Sequence, residues 1–290
     1  MKKIFAGLIM AVLTAGGISL CWFVTIGSGQ GETLELIRKG IHYNIELIRS
    51  CQSNFEVSYQ SGNTKKGVWF YKPGYERIDL DLAEGGAVET TVFLYNLEKG
   101  IACKYEKGIM KEYSLGLDVS SIIREINNVG APSFLFLHLW PLGFSLDEIL
   151  AKPLGAPIVE EDIAGMKCYR VDIPKYGQKE YKGVGTVNYD YLGYRIWFSW
   201  SEGFMPKKIE VYINGSLRLN IGPVSFKRIG DVWFPLKMDI AWPRNPTSKG
   251  TIEYRNIYLN SEISPEIFSP IIPSGTNVVD IGARIHYKTP

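Results

Sequence analysis

The sequence predicts a mainly β (α+β) chain: a single curved antiparallel sheet, or incomplete β-barrel, with helices on its concave side and an export or anchor segment in front. Three observations carry that prediction. Apolar and polar residues alternate at a period of two through segment after segment, the mark of strands with one covered face. Aromatic residues make up 13% of the chain, beside 30 Gly and 15 Pro, a composition suited to many short strands and tight turns. Only one early and one central stretch of the body break the alternation.

Residues 1–29 stand apart. Lys2 and Lys3 precede an almost continuous apolar run from Ile4 to Ile26, a pattern that directs export with the lysines held inside. A bilayer needs about 20 apolar residues and a cleaved signal has a core of about 7–15, so the run fits a retained anchor or a cleaved signal. Gly27 and Gly29 supply small residues for cleavage before Gln30. A third reading is a lipid on Cys21, although Leu20 stands where a small residue is wanted. All three place the body, residues 30–290, in the periplasm or cell envelope, either soluble after cleavage or tied to the inner membrane through residues 4–26.

In the body, Leu34, Ile37, Ile41, Ile45 and Ile48 recur every three or four residues and predict one amphipathic helix over 34–49. The period then changes. FEVSYQ (55–60) alternates, and 68–82 reads as two strands about Pro73-Gly74. Strands are expected at 87–96, 100–106 and 109–114, with Glu98-Lys99-Gly100 and Glu106-Lys107-Gly108 as hairpin turns. Arg77, Asp79 and Asp81 share one strand face and read as a solvated outer surface. A short helix is expected over 119–129, followed by PSFLFLHLWPLGFSLDEIL (132–150). A segment apolar on all sides is buried on all sides or touches lipid.

Glu160-Glu161-Asp162 reads as a surface turn, after which strands resume at 167–174, 185–200, 205–213, 216–228, 231–242 and 250–259. In two of them the alternation is strict. Leu192, Tyr194, Ile196, Phe198 and Trp200 fall on one face, as do Val232, Phe234, Leu236, Met238, Ile240 and Trp242. No linker or repeat divides 30–290, which reads as one domain.

Charge and motif content narrow the function. Net charge is +2, and with Lys2 and Lys3 set aside the basic and acidic residues balance at 30 each, which argues against a nucleic-acid partner. Cys51, Cys103 and Cys168 read as small buried hydrophobes, with Cys103–Cys168 the expected pair if a bridge forms. The histidines are His42, His138 and His286, and no HExxH, GxSxG, P-loop or CxxC is present. GVGTVN (183–188) precedes a strand and reads as a turn. The expectation is a protein that is not an enzyme and uses no metal or cofactor.

Several segments resemble blocks of the periplasmic lipoprotein-carrier (LolA/LolB-like) superfamily, in particular its divergent outer membrane lipoprotein-sorting members. They are GFMPKKIEVY (203–212), KRIGDVWFPLKMDI (227–240) and FSPIIPSGTNVVD (268–280), with the opening helix followed by FEVSYQ and GVWFYKPGYERIDL (67–80) similar in order. The resemblance spans roughly 32–280 and its motifs are structural, so no cavity or release residue of the family is matched to a position here. The soluble carriers are shorter than this chain and are cleaved. The resemblance implies an incomplete antiparallel barrel around a hydrophobic cavity that takes lipoprotein acyl chains, with helices as a lid.

The residues expected to line such a cavity are Leu192, Tyr194, Ile196, Phe198, Phe234, Leu236 and Met238, with Phe134, Phe136, Leu139 and Trp140 closing over it. Acyl binding needs apolar surface above all, since each buried methylene contributes about 0.8 kcal/mol. The competing expectation is a packed core made by the same side chains. Three functions follow: a carrier for lipoprotein acyl chains or another lipid, with an envelope protein as a further partner; a membrane-tethered sensor or interaction module of the same fold; and an envelope hydrolase without a recognisable motif.

Overall fold

The structure is a computed structural model, and it describes residues 30–84, 87–96, 101–106, 112–117, 150–151, 157–176, 179–181, 185–187, 192–243, 249–269, 272–280 and 285–290. Helix α1 (Gln30–Glu46) opens it, and its buried positions Ile37, Ile41 and Asn44 follow the helical period. An antiparallel meander follows: β1 (Cys51–Tyr59), β2 (Thr64–Lys72), β3 (Tyr75–Glu84), β4 (Ala87–Asn96), β5 (Ile101–Glu106) and β6 (Glu112–Leu117). The second half holds β7 (Val159–Ile163), β8 (Met166–Tyr176), β9 (Lys179–Tyr181), β10 (Gly185–Val187), β11 (Leu192–Ser199), β12 (Met205–Ile213), β13 (Ser216–Ile229), β14 (Val232–Ala241) and β15 (Gly250–Leu259). Two short strands, β16 (Asn277–Asp280) and β17 (Ile285–Lys288), close the chain.

Fifteen of these strands form one open, curved sheet, ordered β17-β16-β6-β5-β4-β3-β2-β1-β15-β14-β13-β12-β11-β8-β7, while β9 and β10 pair apart from it. All pairings are antiparallel except β16 with β6. The seam that joins the two halves is β1 on β15, running from Cys51↔Leu259 to Tyr59↔Gly250.

Alternation decides which side chains meet. Phe55 and Val57 of β1, Trp69 and Tyr71 of β2, and Ile78 and Leu80 of β3 turn to the inner face, where they meet Ile37 and Ile41 of α1. Ile196, Val211, Phe234 and Ile252 from the second half join the same core, as does Leu150. A smaller core lies on the opposite face. There the chain after β15 returns across the meander, and Phe268 and Val278 pack on Val92, Leu94 and Tyr105.

Two polar latches fix α1. The Asn44 side chain donates to the Trp233 carbonyl at 3.0 Å and accepts from its N–H at 2.6 Å. β15 pairs with β14 only over Lys237–Ile240, so this amide meets the Trp233 backbone in a stretch of β14 that β15 does not reach. At the end of the helix, Asn260 accepts from the Arg49 N–H at 2.7 Å and donates to the Leu47 carbonyl at 2.9 Å. Gly40 permits the close approach, since a Cβ there would stand 2.5 Å from Cδ2 of Phe204.

The structure corrects several expectations. Glu160-Glu161-Asp162 is the middle of edge strand β7, not a turn. The expected strand 185–200 is two strands, β10 and β11, in different sheets. Arg77 and Asp79 are covered rather than solvated: the Arg77 guanidinium holds Asp79 at 2.6 and 3.0 Å and donates to the Ile267 carbonyl of the returning chain at 2.8 Å. Cys51 and Cys168 are free, buried thiols, in line with their reading as small buried hydrophobes. The expected 119–129 helix and 132–149 lie outside the described residues.

Candidate functional site

The inner face of the sheet is a broad apolar wall. Tyr194, Ile196 and Phe198 stand along it from β11, Phe234 and Met238 from β14, all nearly or wholly buried. They belong to one cluster with Trp69, Ile209, Leu219, Ile252 and Tyr254. Aromatic rings join the halves across the seam: Trp69 lies 6.2 Å from Phe234 and 6.3 Å from Tyr254, and Phe234 meets Tyr254 edge-on at 5.5 Å and 85°.

One acidic group sits inside this wall. Glu76 shares the parity of Ile78 and Leu80 along β3 and is 0% exposed. Its Oε1 accepts from the Trp69 indole N–H at 2.6 Å. Around it lie Cys51, Tyr71 and Tyr254, whose acidities record where they sit. Burial, with Glu76 adding to it, pushes the Cys51 thiol up and the Tyr71 phenol up to about 12. Burial likewise holds Tyr254 well above the ordinary phenol range, with Cys51 and Glu76 adding to it. These groups stay neutral at ordinary pH. A neutral, buried thiol is no nucleophile.

A second polar pocket lies under the rim between β11 and β12. Nζ of Lys207 stands 3.0 and 3.1 Å from the two carboxylate oxygens of Glu202, and both side chains are buried. Breaking one partner of such a pair costs about 3–5 kcal/mol, because the other charge stays buried. Burial raises the neighbouring Cys168 thiol to about 11. The pair braces a turn in which Gly203 and Phe204 both take left-handed backbone, at φ 65 and 61. That conformation is costly for a phenylalanine. It sets Phe204 against Tyr169 and the half-exposed Trp200, with ring centroids 6.4 and 6.2 Å apart.

The residues expected to line a cavity land as follows. Tyr194, Ile196, Phe198, Phe234 and Met238 come together on the inner face. Leu236 departs from the pattern: register steps from Ser225↔Lys237 to Phe226↔Pro235, leaving it without a partner on β13 and half-buried. Leu192 opens β11 opposite Ile213, and its side chain lies outside the described residues. So do Phe134, Phe136, Leu139 and Trp140. Trp69, Glu76 and Tyr254 were not among the expected residues. The signal for Glu76 was the period of YERIDLDL itself, which places it with Ile78 and Leu80.

A cleft of about 470 Å³ opens elsewhere, at the far strand ends, between Ser58, Gln60, Asn220, Asp239 and Thr251. None of the wall residues borders it. Among the described residues, no group of three or more His, Cys, Asp or Glu is placed to hold a metal ion, and no helix is long and apolar enough to cross a membrane.

No protein-family model matches the chain, and no curated protein matches it in sequence. Solved structures do match in fold. An outer membrane lipoprotein-sorting protein domain of Vibrio parahaemolyticus is 12% identical, with a TM-score of 0.52 over 83% of this chain and 97% of that one. A LolA superfamily protein of Nitrosomonas europaea is 13% identical, with a TM-score of 0.48 over 81% of this chain and 98% of the other. The open, curved sheet with a helix on its inner face is thus the fold of the lipoprotein-sorting domain.

Proposed function

We propose, from the premise of that fold, that the protein is a cell-envelope binding protein rather than an enzyme, and that it holds acyl chains of a lipoprotein or another lipid against the inner face of its sheet. One observation carries the reading: residues distant in sequence, from Phe55 to Tyr254, build a single continuous apolar face on an open sheet. The Vibrio protein of the same fold is described as lipoprotein-sorting. The acyl wall is Tyr194, Ile196, Phe198, Phe234 and Met238, with Leu192 and Leu236 at its margins and Phe134, Phe136, Leu139 and Trp140 as the lid. The run from Ile4 to Ile26 exports the body and, where retained, keeps it at the inner membrane, facing an envelope protein partner.

The test is to extract lipid from the purified full-length protein and to titrate it with a fluorescent acyl probe. Saturable binding is expected, and Leu236→Asn should weaken it more than it weakens folding. A protein that carries no lipid and shows no saturable probe binding would sink the carrier reading. In that case Phe198→Ala would act only on stability, costing about 3–5 kcal/mol.

A further inference from the structure

The two edges of the sheet are unlike each other. At one end, β7 presents Val159-Glu160-Glu161-Asp162-Ile163, with Glu160 and Asp162 exposed. At the other, all four residues of β17 are exposed, Ile285 at 50% and Tyr287 at 45%. Each strand ends the sheet, so its outward backbone row has no neighbouring strand among the described residues. Natural sheets blunt their edges with charge, proline or a covering element, because an open edge templates pairing. β7 carries the acids. β17 carries two apolar side chains, two basic-type ones and no proline.

Their faces also match. Glu161 points to the outer face, where it meets Arg170 and the Trp197 indole N–H at 2.7 Å. Glu160 and Asp162 therefore point to the inner side. In β17, Tyr287 and Ile285 stand opposite Val278 and Asp280 of β16. Val278 belongs to the outer core, which places Ile285 and Tyr287 on the outer face and His286 and Lys288 on the inner.

We propose that β17 of one copy of this chain adds antiparallel to β7 of a second copy, with Lys288 opposite Glu160, His286 opposite Asp162, Tyr287 opposite Glu161 and Ile285 opposite Ile163. In this register outer side chains meet outer ones, and both basic residues face acids on the inner side. The charge complementarity of the two edges is what selects a second copy as the occupant. β17 on β17 would set two basic strands together, and β7 on β7 two acidic ones. The contact is heterologous, so a pair of copies keeps one free β7 and one free β17 and the assembly grows by further copies. It uses neither the apolar inner face nor α1, and it stands or falls apart from the lipid-binding reading.

The experiment is sedimentation equilibrium of the full-length chain in density-matched detergent across a wide concentration range. The weight-average mass of the protein should rise with concentration. Lys288→Glu and Glu160→Lys, both at exposed positions, should each lower the association constant by about tenfold, the scale of turning an opposed pair into like charges across a strand pair. The double variant should restore association, because the charges are again complementary. A mass that stays monomeric at every concentration overturns the proposal, including the case in which β17 closes onto β7 of its own chain. Association that persists unchanged in both single variants, or that the double variant fails to restore, also overturns it.

Discussion

Glu76 and the groups around it show what burial, with one carboxylate nearby, does to acidic side chains. Cys51 and Tyr71 are acids whose neutral forms the fold prefers, and their ordinary values are 9.0 and 10.0. Cys168, at 9.0, is raised in the same direction by its own burial. A raised acidity constant means that the stabilisation is complete below the ordinary value and is lost as pH climbs from there toward the raised one. Folding stability should therefore decline from about pH 9 upward, first through the thiols and then through Tyr71. Urea midpoints from roughly pH 8 to 11 would measure it, and Cys51→Ala should flatten the onset of the decline. A midpoint indifferent to alkali would contradict this account. Tyr212, raised to about 12 by burial and by its hydrogen bond to Glu210 at 2.6 Å, adds to the late part of the same loss.

Among the elements, α1 is held by chemistry as well as by its apolar stripe. Asn44→Ala removes a donor and an acceptor at once and leaves two backbone groups of Trp233 without their partner. Each unmet group costs about 1–3 kcal/mol, so the substitution should cost about 2–6 kcal/mol in chemical denaturation. It should also speed amide exchange along α1 more than along β1 or β15. Equal loosening throughout would mean that the latch is not local. The helix itself was legible, because its isoleucines keep the helical period. So were most strands, because apolar inner side chains alternate with mostly polar outer ones, save where β4 and β5 carry the outer core. β7 was not, since Glu160-Glu161-Asp162 reads as a polar run unless Val159 and Ile163 are counted as its frame. The half-burial of Leu236 could not be read, because one extra residue in β14 interrupts an alternation that looks unbroken in sequence. The covering of Arg77 and Asp79 could not be read at all. It depends on Ile267, distant in the chain, returning over their face.

For the whole molecule, the inner core draws on both halves of the chain, so neither half has a core of its own. Trp69 of β2 packs on Phe234 and Tyr254 from β14 and β15, and Phe55 pairs with Tyr254 across the seam. We expect residues 30–290 to unfold as one unit, with fluorescence and circular dichroism tracing the same denaturation curve. Two separate transitions, or a stable half released by limited proteolysis, would divide the chain into two domains. The apolar wall was legible as a pattern of residues. Its acid, Glu76, was readable from the period of β3, whereas its cross-seam aromatic contacts became visible only once the halves were joined.

The seam carries a consequence for biogenesis. Cys51 is hydrogen-bonded territory for Leu259, and Glu112 in β6 waits for Asn277. A ribosome delivers the amino end first, so the early meander emerges with β1 paired to β2 but still lacking its second neighbour, β15. Local hairpins can zip as they appear, but the inner face cannot be sealed until nearly the last thirty residues remain. Topology of this kind makes folding slow and late. Under the export proposed above, the delay helps the chain pass a channel unfolded, because β15, which locks β1, emerges only after every strand but β16 and β17.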